Sequence, residues 1–313
     1  MKKGIKNLAI ATMVGVASMG LMTGCGKQDS KPYIQVSGLD TGYMVGEEIN
    51  LDGAKILYFS DENDTTADEI KLTESMVANF NTETEGEKKM KVFWNGFELE
   101  IDYSVKSTTD FINIFNKAYD SLLNEQYVHV DAVNYENNVE DSRVFYNIKN
   151  NKIYYSIGHL AHNYEIYEQG WVENTNDVWY DYFKENEDYD KVDVTDEVID
   201  NNVLTYFGQM ILGVPGRLSE DFLSEYDMDL SIDFDGNKTK LAISRVSVDD
   251  NGGGVYTSIF KLKYSIENDK FIKVEISEED VESGECFYGE GTFSYNEEDV
   301  EMVELPGNIE WTE

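Results

Sequence analysis

The chain is poor in the residue types that form disulfides, metal sites and nucleophilic catalytic pairs. Its 313 residues include two cysteines, three histidines and three prolines. Two cysteines allow one intrachain disulfide at most, and three histidines leave little material for a zinc site or a nucleophile–base pair. We therefore expect a protein that is not an enzyme and holds no metal or cofactor, and the sequence assigns no residue a catalytic role.

Basic residues are also scarce. The chain has 25 Lys and Arg against 62 Asp and Glu, which gives a formal net charge of −37 at pH 7. Such a charge repels nucleic acid and anionic lipid head groups, so neither is expected as a partner. A hydrophobic content of 41% with 13% aromatic residues is nevertheless too rich for a disordered chain and sufficient for folded cores.

The first 24 residues have the composition of an export signal. Three lysines and no acidic residue precede Asn7, and residues 8–22 are uncharged and either apolar or small. A stretch of about fifteen residues falls short of the roughly 20 that cross a bilayer as a helix, which favours a cleaved signal over a membrane span. The sequence therefore predicts a signal peptide at residues 1–24 and an extracytoplasmic protein after it.

Residues 21–25, Leu-Met-Thr-Gly-Cys, resemble a lipobox, where bacterial signal peptides are cut before a cysteine that becomes lipidated. The resemblance implies a lipoprotein anchored to the cell membrane through Cys25, with residues 25–32 as lipidated cysteine and short polar tether. The alternative is an ordinary secretory signal with a cysteine here by chance. No other stretch is apolar and long enough to span a bilayer, so the lipid would be the anchor. Cys286 is then left as an idle or packed thiol.

Residues 33–105 form short segments of alternating apolar and polar side chains, separated by turn residues. Leu99, Ile101 and Tyr103 share one face of such a segment, and a period of two is typical of β-strands. Asn95-Gly96 predicts a tight hairpin, because both residue types tolerate positive φ. A β-sandwich is therefore expected. Its predicted strands are residues 34–36, 48–51, 55–59, 69–72, 89–94 and 97–105.

Several motifs of this module occur in a recognisable order. A Gly-Glu-Glu turn at Gly46 precedes one segment, and Gly86 precedes the penultimate strand. The other matching segments are residues 54–58, 72–73, 80–82 and 95–96. In this order they resemble the bacterial Ig-like domain, group 3, over residues 33–105. The resemblance implies an immunoglobulin-like spacer or adhesion module of a cell-surface protein, without chemistry of its own.

Residues 107–313 open with an amphipathic helix. Residues 107–109 supply N-cap hydroxyls, and Asp110 complements the positive end of the helix dipole. Apolar side chains then recur at intervals of three and four, which indicates one apolar stripe. They are Phe111, Ile114, Phe115, Ala118, Tyr119, Leu122 and Leu123. A second helical pattern covers residues 198–211 and ends at Gly213, and a short third one covers residues 218–226.

The rest of this module consists of aromatic-rich alternating segments. Five precede an acidic connector at residues 185–200, and six follow the third helix. This order predicts an α+β module in which a large curled antiparallel sheet is covered by two or three helices, so that the whole chain is mainly β. Hairpin turns are expected at residues 150–151, 235–236 and 267–269. The predicted strands are residues 127–135, 142–148, 152–157, 163–168, 178–183, 228–234, 240–248, 255–266, 271–277, 287–295 and 300–304.

Three segments and the opening helix resemble the lipoprotein-carrier fold. They are residues 152–156 (Lys-Ile-Tyr-Tyr-Ser), 178–180 (Val-Trp-Tyr) and 291–296 (Gly-Thr-Phe-Ser-Tyr-Asn). That fold is a half-barrel closed by helices, found in periplasmic lipoprotein carriers and in mycobacterial glycolipid-binding lipoproteins. The resemblance is architectural and implies a module that binds a lipid or another amphipathic ligand between sheet and helices. A fold alone does not specify a function.

The aromatic surplus, 21 Tyr and 15 Phe, favours ligand binding but has a second explanation. Aromatic side chains line apolar clefts, and they also fill the core beside a half-buried sheet. If the module has an open pocket, its lining is expected to include seven residues. They are Phe111, Phe115, Tyr119, Phe207, Met210, Ile211 and Trp179. The alternative is an adhesion protein with a filled core, whose surface contacts a protein or glycan partner.

Four short motifs resemble parts of metal or phosphate sites but lack the residues that would complete them. His159 and His162 have no third ligand at metal-binding spacing. Residues 61–64 and 233–237 are acidic turns without the spacing of a calcium loop, and residues 249–254 precede a strand instead of a helix N-terminus. We interpret all four as solvent-exposed turns. A hydrolase, the third alternative, would need a positioned carboxylate pair, and no pair stands out among 62 acidic residues.

Overall fold

The computed structural model describes residues 31–61, 63–159, 166–185, 188–214, 216–250, 255–307 and 311–312. The predicted signal peptide and Cys25 lie outside these ranges. So do Glu62, His162 and residues 251–254, which belong to three of the motifs interpreted as exposed turns.

The chain divides into two compact units. One unit ends at Ser107 and also includes Ile232–Gly236. The other comprises Thr108–Ser231 and Asn237–Glu313.

The described strands of the first unit form two sheets. They are β1 (Tyr33–Ser37), β2 (Gly42–Met44), β3 (Lys55–Phe59), β4 (Asp68–Lys71), β5 (Val77–Ala78), β6 (Gly86–Trp94) and β7 (Phe97–Lys106). A 3₁₀ turn at Glu74–Met76 precedes β5. One sheet has the order β1-β3-β4 and is antiparallel. The other has the order β2-β7-β6-β5, and in it β2 runs parallel to β7.

The two sheets share one apolar core, which confirms the predicted β-sandwich. Ile56 of β3 and Met90 and Val92 of β6 are completely buried in it. Their positions follow from the period of two, which sends alternate side chains of each strand to the same face. Tyr103 of β7 is also buried, and its hydroxyl donates to the carbonyl oxygen of Asn81 at 3.0 Å. This bond satisfies a polar atom that burial would otherwise leave without a partner.

The strand predicted at residues 48–51 is wrong, because this stretch is a loop. Gly46 has a φ of 86°, which turns the chain just before it. The carboxylate of Glu47 then accepts a hydrogen bond from the Met44 amide at 2.6 Å. The apolar side chains of the loop still pack against the core. Alternation therefore identified a buried face here, but the turn prevents the backbone from pairing with a strand.

Three α-helices are described in the second unit, namely α1 (Thr108–Leu123), α2 (Val203–Leu212) and α3 (Glu220–Glu225). The apolar stripe predicted for α1 is confirmed at Phe111, Phe115, Ala118, Tyr119 and Leu122, which are buried. Its other two members, Ile114 and Leu123, are half-buried, and Ile112 is buried in addition. Helix α2 begins later than predicted because Asp200, with a φ of 55°, interrupts the pattern. Asn202 then caps α2 by accepting from the Leu204 amide at 3.0 Å, and left-handed Gly213 ends it.

Eleven strands of the second half of the chain form one large sheet, as predicted. They are β8 (Tyr127–Glu136), β9 (Val139–Lys149), β10 (Ile153–His159), β11 (Ile166–Thr175), β12 (Val178–Glu185), β13 (Asp188–Asp193), β14 (Asp229–Asp235), β15 (Lys238–Asp250), β16 (Val255–Glu267), β17 (Lys270–Asp280) and β18 (Cys286–Ser294). The order is β13-β12-β11-β10-β9-β8-β18-β17-β16-β15-β14. The last strand therefore pairs with the first, and joins two antiparallel meanders into one surface.

Tight turns built from Asn, Asp and Gly join many neighbouring strands. The predicted hairpin at Asn95-Gly96 is confirmed, with φ values of 47° and 86°. In the large sheet the pairs Asn137-Asn138, Asn150-Asn151, Asn176-Asp177 and Asn268-Asp269 all have positive φ at both residues. Two consecutive positive φ values match the right-handed twist of hairpin strands. These residue types supply that geometry with little strain, because their short polar side chains tolerate the left-handed region.

Two predictions for the second unit are wrong. The acidic connector predicted at residues 185–200 contains strand β13, which pairs with β12. Its acidic side chains lowered the strand signal, although they only mark an exposed strand. The strand predicted at residues 300–304 does not form. Met302 of that segment and the adjacent Leu305 instead pack against an aromatic cluster on the sheet, so their apolar character reflects side-chain burial without backbone pairing.

Candidate ligand-binding cleft

A cleft of about 210 Å³ lies between the end of α2 and the central strands of the large sheet. Strands β8, β9, β17 and β18 form its floor, and Met210, Ile211 and Gly213 form its roof. The lining is mainly apolar, with polar side chains at a few places such as Asn134 and Tyr146. Such a composition is typical of small-molecule sites, although most ligand pockets are larger, at about 300–1,000 Å³.

Two glycines of β18 form the middle of the floor. A Cβ atom at Gly289 would lie 2.8 Å from Oδ1 of Asn134, and one at Gly291 would lie 3.1 Å from Cγ1 of Val130. Side chains of the neighbouring strands therefore lean over both glycines. Glycine in a strand interior allows neighbouring groups to approach the backbone closely. A larger residue at either position would therefore push these side chains toward the cleft.

The backbone conformation and one hydrogen bond at the end of α2 hold the roof in place. Gly213 adopts the left-handed conformation and ends the helix, and the Tyr264 hydroxyl donates to the carbonyl oxygen of Leu212 at 2.7 Å. Met210, 38% exposed, and the half-buried Ile211 consequently lie over the floor. These are the two predicted ligand-lining residues that the structure places in the cleft.

The other five predicted residues lie in the core and not in the cleft lining. They are Phe111, Phe115, Tyr119, Phe207 and Trp179, each with 4% or less of its surface exposed. The ring of Phe115 packs against those of Tyr264 and Phe271, with centroids 5.0 and 5.4 Å apart. The ring of Phe207 packs edge-on against Tyr146 at 5.7 Å, so it supports the cleft wall from behind. An apolar helical stripe suits this supporting position as well as it would suit a ligand-lining position.

Sequence reasoning did not identify the glycines, Tyr146 or Phe287 as lining residues. The run Gly289-Glu290-Gly291 inside an aromatic strand is a usable signal, since glycine in a strand interior often marks close approach of a backbone or ligand. Tyr146 offers no comparable signal. Alternation gives the face on which its side chain lies, but the opposing residues depend on strand order, which this sequence does not reveal.

A buried carboxylate, Asp181, lies near Tyr146 of the cleft lining. Asp181 of β12 accepts hydrogen bonds from the hydroxyl of Tyr206 on α2 at 2.9 Å and from that of Tyr155 on β10 at 3.3 Å. Burial raises the pKa of Asp181 to about 6, and the two tyrosine hydroxyls oppose that rise by stabilising the carboxylate. The three residues join α2 to two strands and thereby fix the position of the roof.

The opposite face of β10, β11 and β12 carries a separate aromatic cluster. Trp171 is buried there, and its Nε1 donates to the carbonyl oxygen of Val303 at 3.0 Å. The ring of Trp311 packs against those of Trp171 and Tyr182, with centroids 6.2 and 5.1 Å apart. The aromatic surplus is therefore divided between two faces, and on this face it forms a packed core.

The motifs with partial metal or phosphate character gain no further support from the described residues. No group of three or more His, Cys, Asp or Glu side chains in that part of the chain is arranged to hold a metal ion. His159 lies at the end of β10, and Gly236 has the positive φ of a hairpin turn between β14 and β15. Cys286 is a half-exposed free thiol. Of the helices described, none has both the length and the apolar character needed to cross a membrane.

Comparison with known proteins finds similarity among solved structures. The Mycobacterium tuberculosis lipoprotein LppX aligns with a TM-score of 0.32 and 12% sequence identity, over 61% of this chain and 97% of LppX. LprF from Mycobacterium bovis aligns with a TM-score of 0.29 and 14% identity, over 60% of this chain and 92% of LprF. No family model matches the chain, and no curated protein matches it.

Proposed function

We propose that this protein is a non-enzymatic, extracytoplasmic lipoprotein that binds an apolar or amphipathic ligand in the cleft under α2. The observation that carries the proposal is the apolar space between Met210 and the glycine floor of β18. An evenly packed core would close such a space, because interiors are normally packed as densely as organic crystals. The ligand would enter between sheet and helix and leave the α1 core intact.

The remaining parts of the chain have supporting roles in this proposal. The lipobox-like sequence before Cys25 would supply the membrane anchor, with residues 25–32 as a tether. The β-sandwich and the motif order starting at Gly46 support an Ig-like spacer at residues 33–105. Residues 107–313 would then be the carrier-like, ligand-binding module. Removal of the signal peptide, with its three lysines and no acidic residue, would change the net charge from −37 to −40, which suits a protein held above an anionic surface without adhering to it.

Native mass spectrometry of residues 26–313 after incubation with a lipid extract tests the proposal. These residues include every one that the structure describes. We expect an added mass that disappears on denaturation and is much reduced in Met210→Asp. A carboxylate at this partly exposed position should leave the fold intact and make the roof unfavourable for an apolar chain, since burying an unpaired charge is costly.

Val246→Asp is the matched control for this experiment. Val246 is 58% exposed and lies on β15, outside the cleft, so the same kind of substitution should leave the added mass unchanged. Equal loss in both variants would indicate adsorption to the protein surface. A clean apo mass under every lipid condition would rule out the proposed function.

An exposed aliphatic patch favours a second candidate function, adhesion to a partner protein. Val246 and Val248 of β15 and Ile259 of β16 are exposed, and Val246 lies directly opposite Ile259 in the ladder. Contiguous exposed apolar side chains mark interaction surfaces more often than single ones do. If adhesion is the function, Val246→Asp should reduce attachment of the protein to its target surface, whereas Met210→Asp should not.

A further inference from the structure

The residues that cross the cleft floor continue in register to a pair of carboxylates. From β17 to β12 the row consists of Val274, Gly291, Ala132, Val144, Ile157, Glu168 and Glu185. Residues directly opposite each other in a ladder share one face of the sheet. Glu168 is two strands from the cleft-lining Val144, which at about 4.8 Å per strand corresponds to roughly 10 Å. This distance is within the length of an extended alkyl chain that starts in the cleft.

Glu168 is a half-buried carboxylate in an unfavourable environment. It forms no hydrogen bond or ion pair with any described residue, and it lies directly opposite Glu185. Burial raises the pKa of Glu168, the charge of Glu185 raises it further, and the His159 imidazole acts in the opposite direction. Like charges opposite each other destabilise a ladder. A cation bound between this carboxylate and the cleft would remove that cost.

The Tyr146 hydroxyl is a second polar group without a described partner. The side chain is half-buried, and burial raises the pKa of the hydroxyl to about 12, with the charges of Glu168 and Asp181 adding to the effect. Tyr146 also lines the cleft and lies between its apolar floor and the carboxylates. None of the residues described forms a hydrogen bond with this hydroxyl. The hydroxyl is therefore available to a ligand in the cleft, to which it can donate a hydrogen bond or from which it can accept one.

The charge on this face of the sheet is of one sign. The basic residues of β9 and β12, such as Arg143 and Lys184, alternate with the cleft-facing positions and therefore lie on the opposite face. Lys152, just before β10, pairs with Glu173, which also faces away from the cleft. Among the cleft-facing residues described on β8–β12, His159 alone can carry a positive charge. Anionic head groups would therefore be repelled at this end of the cleft, and cationic ones attracted.

We propose that the ligand is a single-chain amphiphile with an amine head group, bound with its ammonium group between Glu168 and the Tyr146 hydroxyl and its chain under Met210. The proposal rests on the proposed function and specifies its ligand class. The ammonium donates hydrogen bonds to the carboxylate and to the hydroxyl, which are both acceptors. A volume of about 210 Å³ is small for a ligand pocket and fits one chain better than several.

Calorimetric titration of residues 26–313 with three monomeric dodecyl probes tests this ligand class. The probes are dodecylammonium, dodecyl maltoside and dodecyl sulfate, which share a chain and differ in head-group charge. We expect the affinity to fall in that order. Glu168→Gln should weaken dodecylammonium binding about tenfold, the value of one charge-assisted hydrogen bond, and leave maltoside binding unchanged. Tyr146→Phe should weaken dodecylammonium binding by a smaller factor while keeping the packed ring.

Glu173→Gln is the matched control, because Glu173 lies on the same strand but faces away from the cleft and pairs with Lys152 at 2.7 Å. It removes the same charge and should leave all three affinities unchanged. Equal binding of the three probes, or equal weakening by Glu168→Gln and Glu173→Gln, would overturn the amine head group and leave the ligand-binding function standing. Failure of all three probes to bind would contradict both.

Discussion

The two faces of β10–β12 and their neighbours show two outcomes from strands of similar aromatic content. On one face Trp171 and Tyr182 are covered by Trp311 and the segment around Val303, and side chains fill the space. On the other face, over the neighbouring strands β8, β9, β17 and β18, α2 covers the sheet and leaves a cleft. Period-two alternation places aromatic residues on both faces, so the number of aromatic residues cannot decide which face remains open.

The face with the cleft differs from the closed face in having glycines at the positions that line the space. The open face has Gly289 and Gly291 in the middle of its floor, and its cover ends at the helix-terminating Gly213. The closed face is covered instead by a segment around Val303 that is neither helix nor strand, and its Met302 and Leu305 side chains pack against the cluster. The two glycines add no side chain of their own to the floor beneath the end of α2, and the cleft lies at this position.

The largest effect is expected on the closed face. Trp171→Ala should lower the free energy of unfolding by about 4 kcal/mol, because it removes a buried side chain and leaves a cavity and an unpaired Val303 carbonyl. Urea unfolding followed by circular dichroism measures this change. Phe287→Ala, at a cleft-lining residue that is 42% exposed, should cost less than about 1 kcal/mol. Equal costs would mean that the two faces do not differ in packing.

The next effect concerns pH and the carboxylate behind the cleft. The pKa of Asp181 is raised from 3.8 to about 6, so the folded protein holds this proton more tightly than the unfolded chain does. Between these two pH values the folded state binds more protons, and stability must therefore fall as pH rises. A rise in pKa of this size corresponds to as much as about 3 kcal/mol of stability, which is fully present below the unfolded pKa of 3.8 and fully lost above about pH 6.

The comparison of Asp181→Asn with the original chain isolates this contribution. Unfolding free energies measured at several pH values should converge at low pH and separate near neutrality, with the variant becoming the more stable of the two. Asp131→Asn removes a carboxylate that pairs with Arg143 on the opposite face, and it should show no such separation. A constant difference between the Asp181 variant and the original chain would contradict the raised pKa.

Local patterns of the sequence predicted much of the fold. The stripe from Phe111 to Leu122, the turn at Asn150-Asn151 and the end of α2 at Gly213 all depend on neighbours along the chain, and all three were confirmed. The predictions that were wrong depend on partners far away. Whether residues 48–51 or 300–304 pair as strands is decided by what lies beside them in space, and alternation does not contain that information.

The candidate site was harder to predict for the same reason. Met210 and Ile211 lie in the cleft, and Phe115 lies in the core, although all belong to apolar helical patterns. The distinction depends on whether the facing strand carries a large side chain or a glycine. The pairing of β18 with β8 brings together residues more than 150 positions apart, such as Gly291 and Ala132, and the sequence does not specify that pairing.

The smallest effect on stability is expected for Gly291→Ala, which nevertheless should weaken ligand binding. Its added Cβ would lie 3.1 Å from Val130 Cγ1 and 3.3 Å from Val274 Cγ1, so both side chains must move slightly toward the cleft. We expect a change of no more than about 1 kcal/mol in unfolding free energy, since overpacking is partly offset by the lower entropy of the unfolded chain.

Gly170→Ala is the matching substitution where the space above a glycine is already filled. Its Cβ would lie 2.0 Å from Cζ of Tyr155, whose ring covers this glycine and whose hydroxyl reaches Asp181. Displacing the ring should cost about 2 kcal/mol, at least twice the cost at Gly291. Urea unfolding gives both stabilities, and titration with dodecyl maltoside gives both affinities. If Gly291→Ala left the affinity unchanged while stability stayed high, the glycine floor would not be where the ligand binds.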